Sequence, residues 1–456
     1  MSTFLQTDPA TRRIESPNDL RGYFQRFAKP RGVERVGIEC ELFGVHKETG
    51  EALPYVGPLS IEAVLNELAY EFGYEPIQEQ GHTIALRKGS TFISLEPGGQ
   101  IELSAEPVDH LHQTKAQLEE FFFQLRTVAH LLGPISWLAS GIQPFSSLAD
   151  IHWVPKRRYE IMARYLIRKG KKAHDMMKRT ATNQINLDYH DEEDAIEKMR
   201  LSLALTPIAA AMFANSSFSH GKANGFLSER LNIWRFTDRE RCGLILKLIC
   251  EHCTFDDYLQ FILDTSMMFI VRNQEWIVTR DLTFRQFIER GYRGHQPTES
   301  DFELHLSTIF TDARFKQYLE IRGMDGQRSH LILSVYAFWK GILYNDEAKR
   351  LAKHLIGRFE ERDIYKLHAD VERLGLKARL KKMQVLDLAR TLVRISERGL
   401  KEQRCFNEAE QDESIYLVPL KEEILKKGET PAEQLITLWN GSFRKDRRAL
   451  IDYLEI

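Results

Sequence analysis

The chain has 456 residues, 43% hydrophobic and 28% charged, enough to bury a large core beneath a solvated surface. Lys and Arg number 63 against 65 Asp and Glu, a formal charge of -2, so no global field recruits nucleic acid or an anionic membrane and any phosphate binding must be local. The N-terminal MSTFLQTDPATRRIESPNDL lacks the apolar stretch of a secretory signal, and no run of about 18 apolar residues is present to span a bilayer, so the expectation is a cytoplasmic address with no membrane and no nucleic-acid partner.

Residues 1–34 read as a polar arm with one helix, started by Ser16-Pro17-Asn18-Asp19 ahead of LRGYFQRFA. From 35 to 345, short alternating strands are interspersed with longer helical patterns. The strand–helix alternation and phosphate-binding glycine loop of a doubly wound nucleotide fold are missing, which points to an α+β arrangement round an antiparallel sheet.

In Val36–Leu42 the period of two puts Gly37, Glu39 and Glu41 on one face and Val36, Ile38, Cys40 and Leu42 on the other. Two carboxylates about 7 Å apart repel unless water or a cation separates them, so a divalent ion is one reason to keep both and a wet strand face is the other. In Ile93–Ser104, Gln100, Glu102 and Ser104 oppose Ile101 and Leu103. The bend Pro97-Gly98-Gly99 lets Glu96 and Glu102 approach one place from different directions, although a plain hairpin with solvated tips has the same composition.

The basic clusters Lys156-Arg157-Arg158 and Arg168–Lys172 are solvated charge by default, with a phosphate contact as the alternative. Thr180–Asp188 sets Thr182, Gln184, Asn186 and Asp188 against Ile185 and Leu187, and those oxygens suit a hard cation, a polar substrate or solvent. A helix opens near Asp191, with Asp194 in its first turn, and Pro207 is expected to kink or break it.

Five cysteines, Cys40, Cys242, Cys250, Cys253 and Cys405, are too few for a disulfide framework, and the C-x-x-C of Cys250 and Cys253 has no second pair at zinc spacing, so thiols are expected. YLEIRGMD gathers Glu320, Arg322 and Asp325, where a salt bridge is the ordinary explanation. From 346 to 456 the pattern is helical and charged, a layer that could pack on its own core or on a second subunit, so the oligomeric state is open.

In order, VGIECEL, SLEPGGQIELS, VPKRRYEIM, DMMKRTATNQINLDY, FANSSFSHGKANGFLSERLNIWRFTDRERCGL, HLSTIFTDARFKQYLEIRGMD and GETPAEQLITLWNG resemble the plant-type glutamate–cysteine ligases, from about residue 36 to about residue 442. The resemblance implies a fold related to glutamine synthetase: α+β, with a curved antiparallel sheet forming an active-site funnel, surrounded by helices, and a helical C-terminal layer. It implies an ATP-dependent enzyme that phosphorylates the γ-carboxylate of glutamate and lets the amine of cysteine displace phosphate, with Mg2+ or Mn2+ neutralising the charge.

By motif position, the resemblance makes Glu39, Glu41, Glu96, Glu102, Gln184 and Glu320 metal candidates and Arg322, with Glu320, the catalytic pair. Arg230, Trp234, Asn186 and Thr182 fall to substrate, Arg230 on the glutamate α-carboxylate, and Lys156 and Arg158 to the nucleotide. The chain departs from the plant pattern where FTDARFK replaces FPEVRLK, NSSF replaces NSPF, RGMD replaces RGAD and Lys115 replaces a cysteine, so a plant-like redox disulfide at that position is not expected. A ligase for another acceptor amine, or a silent binding protein on the same fold, would share most of these features.

Overall fold

The computed structural model describes residues 12–456, and the first eleven residues of the expected arm lie outside them. Nine strands join in one open sheet: β1 (Val36–His46), β2 (Glu75–Glu79), β3 (His82–Lys88), β4 (Thr91–Leu95), β5 (Ile101–Ser104), β6 (Ile135–Leu138), β7 (Asn183–Leu187), β8 (Ala313–Phe315) and β9 (Leu319–Ile321). Their order is β8-β9-β7-β1-β5-β4-β3-β2, with β6 against the second half of β1, and every pairing is antiparallel. The architecture is therefore α+β on an antiparallel sheet, as the alternation in the sequence indicates.

The sheet has no wet face at its centre. Cys40 is fully buried on the apolar side of β1, while Glu39 and Glu41 are only 3% and 7% exposed on the other. Among the described residues, ten α-helices precede the last strands: α1 (Pro17–Phe27), α2 (Ile61–Phe72), α3 (Leu111–Leu132), α4 (Arg157–Leu166), α5 (Ala173–Arg179), α6 (Glu192–Met212), α7 (Glu229–Arg235), α8 (Phe255–Asp264), α9 (Phe284–Arg290) and α10 (Glu299–Leu306). Six follow: α11 (Ser329–Leu343), α12 (Asp346–Ile356), α13 (Glu361–Leu374), α14 (Val385–Gln403), α15 (Pro431–Asn440) and α16 (Arg447–Leu454).

α1 starts where the sequence places it, with Asp19 accepting the Ser16 N–H at 2.9 Å, and its Phe24 ring sits edge-on to Phe255 of α8 at 5.4 Å. α6 opens on Asp191, whose carboxylate accepts from the Asp194 N–H at 2.8 Å. Pro207 does not break α6. Every residue from Leu201 to Met212 is buried, and that packing outweighs the backbone donor that proline lacks. The later helices pack on this same chain, α14 against α11 and α13 against α6, and one apolar cluster runs from Ile14 to Leu425.

Candidate active site

The register of β1 builds the floor of a cavity of about 840 Å³. Glu39 lies opposite Ser104 of β5 and Gln184 of β7, and Glu41 lies opposite Glu102. Directly paired residues share a face, so Glu39, Glu41, Glu102 and Gln184 all point into the cavity. Glu96 arrives from the β4–β5 turn, where its N–H donates to the Gln100 carbonyl at 2.9 Å. That turn needs its glycines: Gly99 has φ +84°, and a Cβ on Gly98 would stand 2.3 Å from the Lys178 carbonyl oxygen.

The floor is held by short polar contacts. Glu41 accepts from the Thr182 N–H and from Gln184 Nε2, both at 3.1 Å. Glu102 accepts from the hydroxyls of Ser94 at 3.0 Å and Ser104 at 2.9 Å. Asn186 Nδ2 donates to Glu39 at 3.3 Å.

Two of the carboxylates at this floor, Glu41 and Glu96, are short of positive charge. Burial, reinforced by Glu96 and Glu102, pushes Glu41 well above the usual carboxylate range, although Arg230 and Arg322 oppose the shift. Burial and then Glu102 push Glu96 up to about 7. Burial also lowers Lys156 to about 8 and Arg158 to about 10 on the neighbouring wall.

Glu320 is in the opposite state. Arg314 Nε and Arg322 Nη1 donate to its Oε2 at 2.5 and 2.8 Å, and Lys316 Nζ stands 2.7 Å from Oε1. Those three cations overcome the cost of burial and hold Glu320 well below the usual range. Arg322 also donates to Gln184 Oε1 at 2.8 Å, which ties this cationic wall to the floor. Its guanidinium lies 5.7 Å from the Trp234 ring and 5.9 Å from the Phe310 ring.

The structure thus brings Glu39, Glu41, Glu96, Glu102, Gln184, Lys156, Arg158 and Arg322 to one cavity. Glu320 is fully buried behind that surface, inside its ion pairs. Arg230 and Trp234 stand behind Arg322: Arg230 Nη2 donates to the Arg322 carbonyl at 2.9 Å, and neither Arg230 Nε nor Trp234 Nε1 has a hydrogen-bond partner among the described residues. Thr182 supports from beneath, its hydroxyl donating to the Met324 carbonyl at 2.6 Å. Asn186 lines a separate cavity of about 40 Å³ that it shares with Glu39.

Among the described residues, no three of His, Cys, Asp or Glu are gathered closely enough to hold a metal ion as they stand. The donor chemistry nevertheless fits a hard divalent cation: the carboxylates of Glu39, Glu41, Glu96 and Glu102 and the amide of Gln184 line one cavity, with Glu41 and Glu96 short of positive charge.

Sequence reasoning missed Arg314 and Lys316, although β8 and β9 alternate and Arg314 pairs directly with Glu320. It also missed two hairpins at the cavity's outer end. One turns at Gln80-Gly81 between β2 and β3 and brings Ile77, Gln78 and Ile84; the other joins Phe269–Arg272 to Glu275–Val278 and brings Gln274 and Trp276. Their turn residues mark hairpins and carry no signal of the surface they would reach.

A family model described as glutamate-cysteine ligase family 2 matches residues 35–449. The chloroplastic glutamate–cysteine ligase B of rice, Oryza sativa subsp. japonica, is 37% identical over 96% of this chain and 86% of its own length. The chloroplastic enzyme of tomato, Solanum lycopersicum, is 38% identical over 93% of this chain and 80% of its own length. A glutamate–cysteine ligase from Francisella tularensis, solved in complex with AMP, superposes with a TM-score of 0.55 at 12% identity over 94% of this chain and 89% of its own. A bifunctional glutathione synthetase from Pasteurella multocida gives a TM-score of 0.55 at 11% identity over 96% of this chain and 53% of its own.

The expected cytoplasmic address is corrected by these relatives, since the rice, tomato and Arabidopsis thaliana proteins are all named chloroplastic. The expectation rested on the lack of an apolar leader, and plastid transit peptides are polar, Arg-rich and Ser-rich, so that feature never discriminated. The match over nearly the whole chain, together with the fold and the carboxylate-floored cavity, places this protein in glutamate–cysteine ligase family 2, a family of ligase enzymes.

Proposed function

We propose that the cavity joins the γ-carboxylate of glutamate to the amine of cysteine at the expense of ATP, by way of γ-glutamyl phosphate, as a step of glutathione biosynthesis. The observation that carries this reading is the division of one cavity into an under-neutralised carboxylate floor and an arginine–lysine wall. Phosphoryl transfer between two anions needs both sides. Mg2+ or Mn2+ held by Glu39, Glu41, Glu96, Glu102 and Gln184 would neutralise phosphate oxygens. Glu320 joins that set only where an incoming cation displaces Lys316 from its Oε1; as it stands, it fixes Arg322.

Arg322 bears on the transferring phosphoryl group with a fixed, planar fork, and Arg314 and Lys316 widen the same positive wall. Lys156 and Arg158 take the nucleotide phosphates, while the base packs at the apolar outer end among Ile77, Ile84, Met162 and Trp276. Arg230, which the resemblance gives to the glutamate α-carboxylate with Trp234 as its wall, keeps a buried Nε without a partner among the described residues, and that supports a donor role once glutamate reaches it. Thr182 and Asn186 act from outside the cavity, by holding Glu41 and Glu39 of the floor in place. The amine then attacks the acyl phosphate and phosphate leaves, so no covalent enzyme intermediate is needed.

The test supplies purified protein with ATP, magnesium, glutamate and a panel of amines while phosphate release and product mass are followed. Cysteine should be the best acceptor. 2-Aminobutyrate should be tolerated, because a small pocket separates near-isosteres by only about 1–3 kcal/mol. Turnover with ammonia or bulky amines alone, with cysteine inert, would contradict the acceptor assignment.

A further inference from the structure

We infer that Asp325 is a positioning residue that sets the place of Arg230, and through it the hold on glutamate; this rests on the assignment of Arg230 to the glutamate α-carboxylate. Asp325 is 2% exposed and makes no contact with the cavity, yet its carboxylate gathers three donors from the segment that carries Arg230. The Asn215 N–H and the Ser216 hydroxyl donate to Oδ2 at 2.8 and 2.7 Å, and the Ser228 hydroxyl donates to Oδ1 at 2.9 Å.

Both serines pass the constraint on. Ser216 Oγ accepts the backbone N–H of Arg230 at 3.1 Å, and Ser228 Oγ, the cap of α7, accepts that of Leu231 at 3.2 Å. The chain on the other side of Asp325 is fixed as well, by a bridge to Thr182 and by the Gly326 N–H on the Ala181 carbonyl at 3.1 Å. One carboxylate therefore docks the first turn of α7 against the edge of the carboxylate floor. The site admits nothing larger, since a Cβ on Gly141 would stand 2.5 Å from the Asp325 carboxyl carbon.

An amide replaces this acid poorly. Each serine hydroxyl accepts a backbone N–H and donates to the carboxylate, and an asparagine has one oxygen to receive them: with it on Asn215 and Ser216, Nδ2 faces Ser228 Oγ, which keeps a bond only by turning its own proton away. Asp325→Asn therefore weakens one of the two relays with little change in volume.

The experiment measures kcat and KM for glutamate and for ATP in the wild type, Asp325→Asn, Ser216→Ala and Arg230→Met, with melting temperature as the check on folding. The expected result is a rise of roughly tenfold in glutamate KM for Asp325→Asn and Ser216→Ala, with kcat changed less than about threefold and ATP KM unchanged. Should Asp325→Asn prove insoluble, Ser216→Ala carries the same reading without removing a buried charge. An unchanged glutamate KM, or an equal rise for ATP, alongside a large glutamate effect of Arg230→Met, overturns the positioning role. A glutamate KM unmoved by Arg230→Met overturns the substrate assignment on which the inference rests.

Discussion

Glu41 is buried and Glu96 half-buried beside Glu102, with too little positive charge around them, so each carries a cost in the folded protein that a bound cation would remove. Glu41→Gln is therefore expected to raise the metal-free melting temperature by a few degrees. The same change should flatten the magnesium-dependent rise seen in the wild type and, like Glu39→Gln, cut turnover about 100-fold. A thermal-shift titration with magnesium checks this, and an undiminished magnesium response in Glu41→Gln would remove the floor from the metal assignment. Arg322 belongs to the same scale. Its Nη1 alone donates to Glu320 and Gln184, which fixes the planar group and leaves the rest of the guanidinium to a phosphoryl group, an arrangement an ammonium point charge cannot copy, so Arg322→Lys should lower kcat about 100-fold with a smaller change in glutamate KM. A change confined to KM would make Arg322 a ground-state binder.

At the scale of elements, strand alternation is a local property, and it is why Glu39 with Glu41, Glu102 with Gln100, and Gln184 with Thr182 were each legible as the polar face of a strand, while their union into one floor depends on the pairings of β1 with β5 and β7. The cations round Glu320 were not legible, because they depend on β8 folding back on β9 in a register that sets Arg314 against Glu320. α6 shows the converse case, a proline rule overridden by burial that no local pattern reports. His305 in α10 gives this scale a pH test. It stacks on Phe284 of α9 at 5.4 Å, its Nε2–H donates to the Ile262 carbonyl at 2.9 Å, and burial lowers it to about 4. A histidine depressed in the folded state leaves stability intact above its unfolded value of about 6.5 and removes it as pH falls towards 4, here by about 3 kcal/mol. The melting-temperature gap between wild type and His305→Gln should therefore narrow from pH 7 to pH 4.5, and parallel curves would contradict it.

Across the whole molecule, the helices after residue 346 reach α7, the helix that carries Arg230. Glu372 of α13 accepts from Arg235 Nε at 2.6 Å and from Asn232 Nδ2 at 2.8 Å, and its carbonyl accepts the Leu227 and Ser228 N–H groups at 2.8 and 3.1 Å. α7 is thus gripped by the C-terminal layer as well as by Asp325. The charge-rich pattern of that layer gave no sign of this, since its sequence reads as surface helix and the contact is made by one buried acid. Glu372→Ala should destabilise the fold by about 2 kcal/mol and raise glutamate KM severalfold, which denaturant unfolding and steady-state kinetics would read together.

The central claim is that floor and wall cooperate to phosphorylate a carboxylate. Glutamate labelled with 18O in its γ-carboxylate tests it most directly, with the released phosphate analysed by mass during turnover with ATP and cysteine. Passage through γ-glutamyl phosphate carries one labelled oxygen into each phosphate. Phosphate released without label, at undiminished product formation, would contradict it.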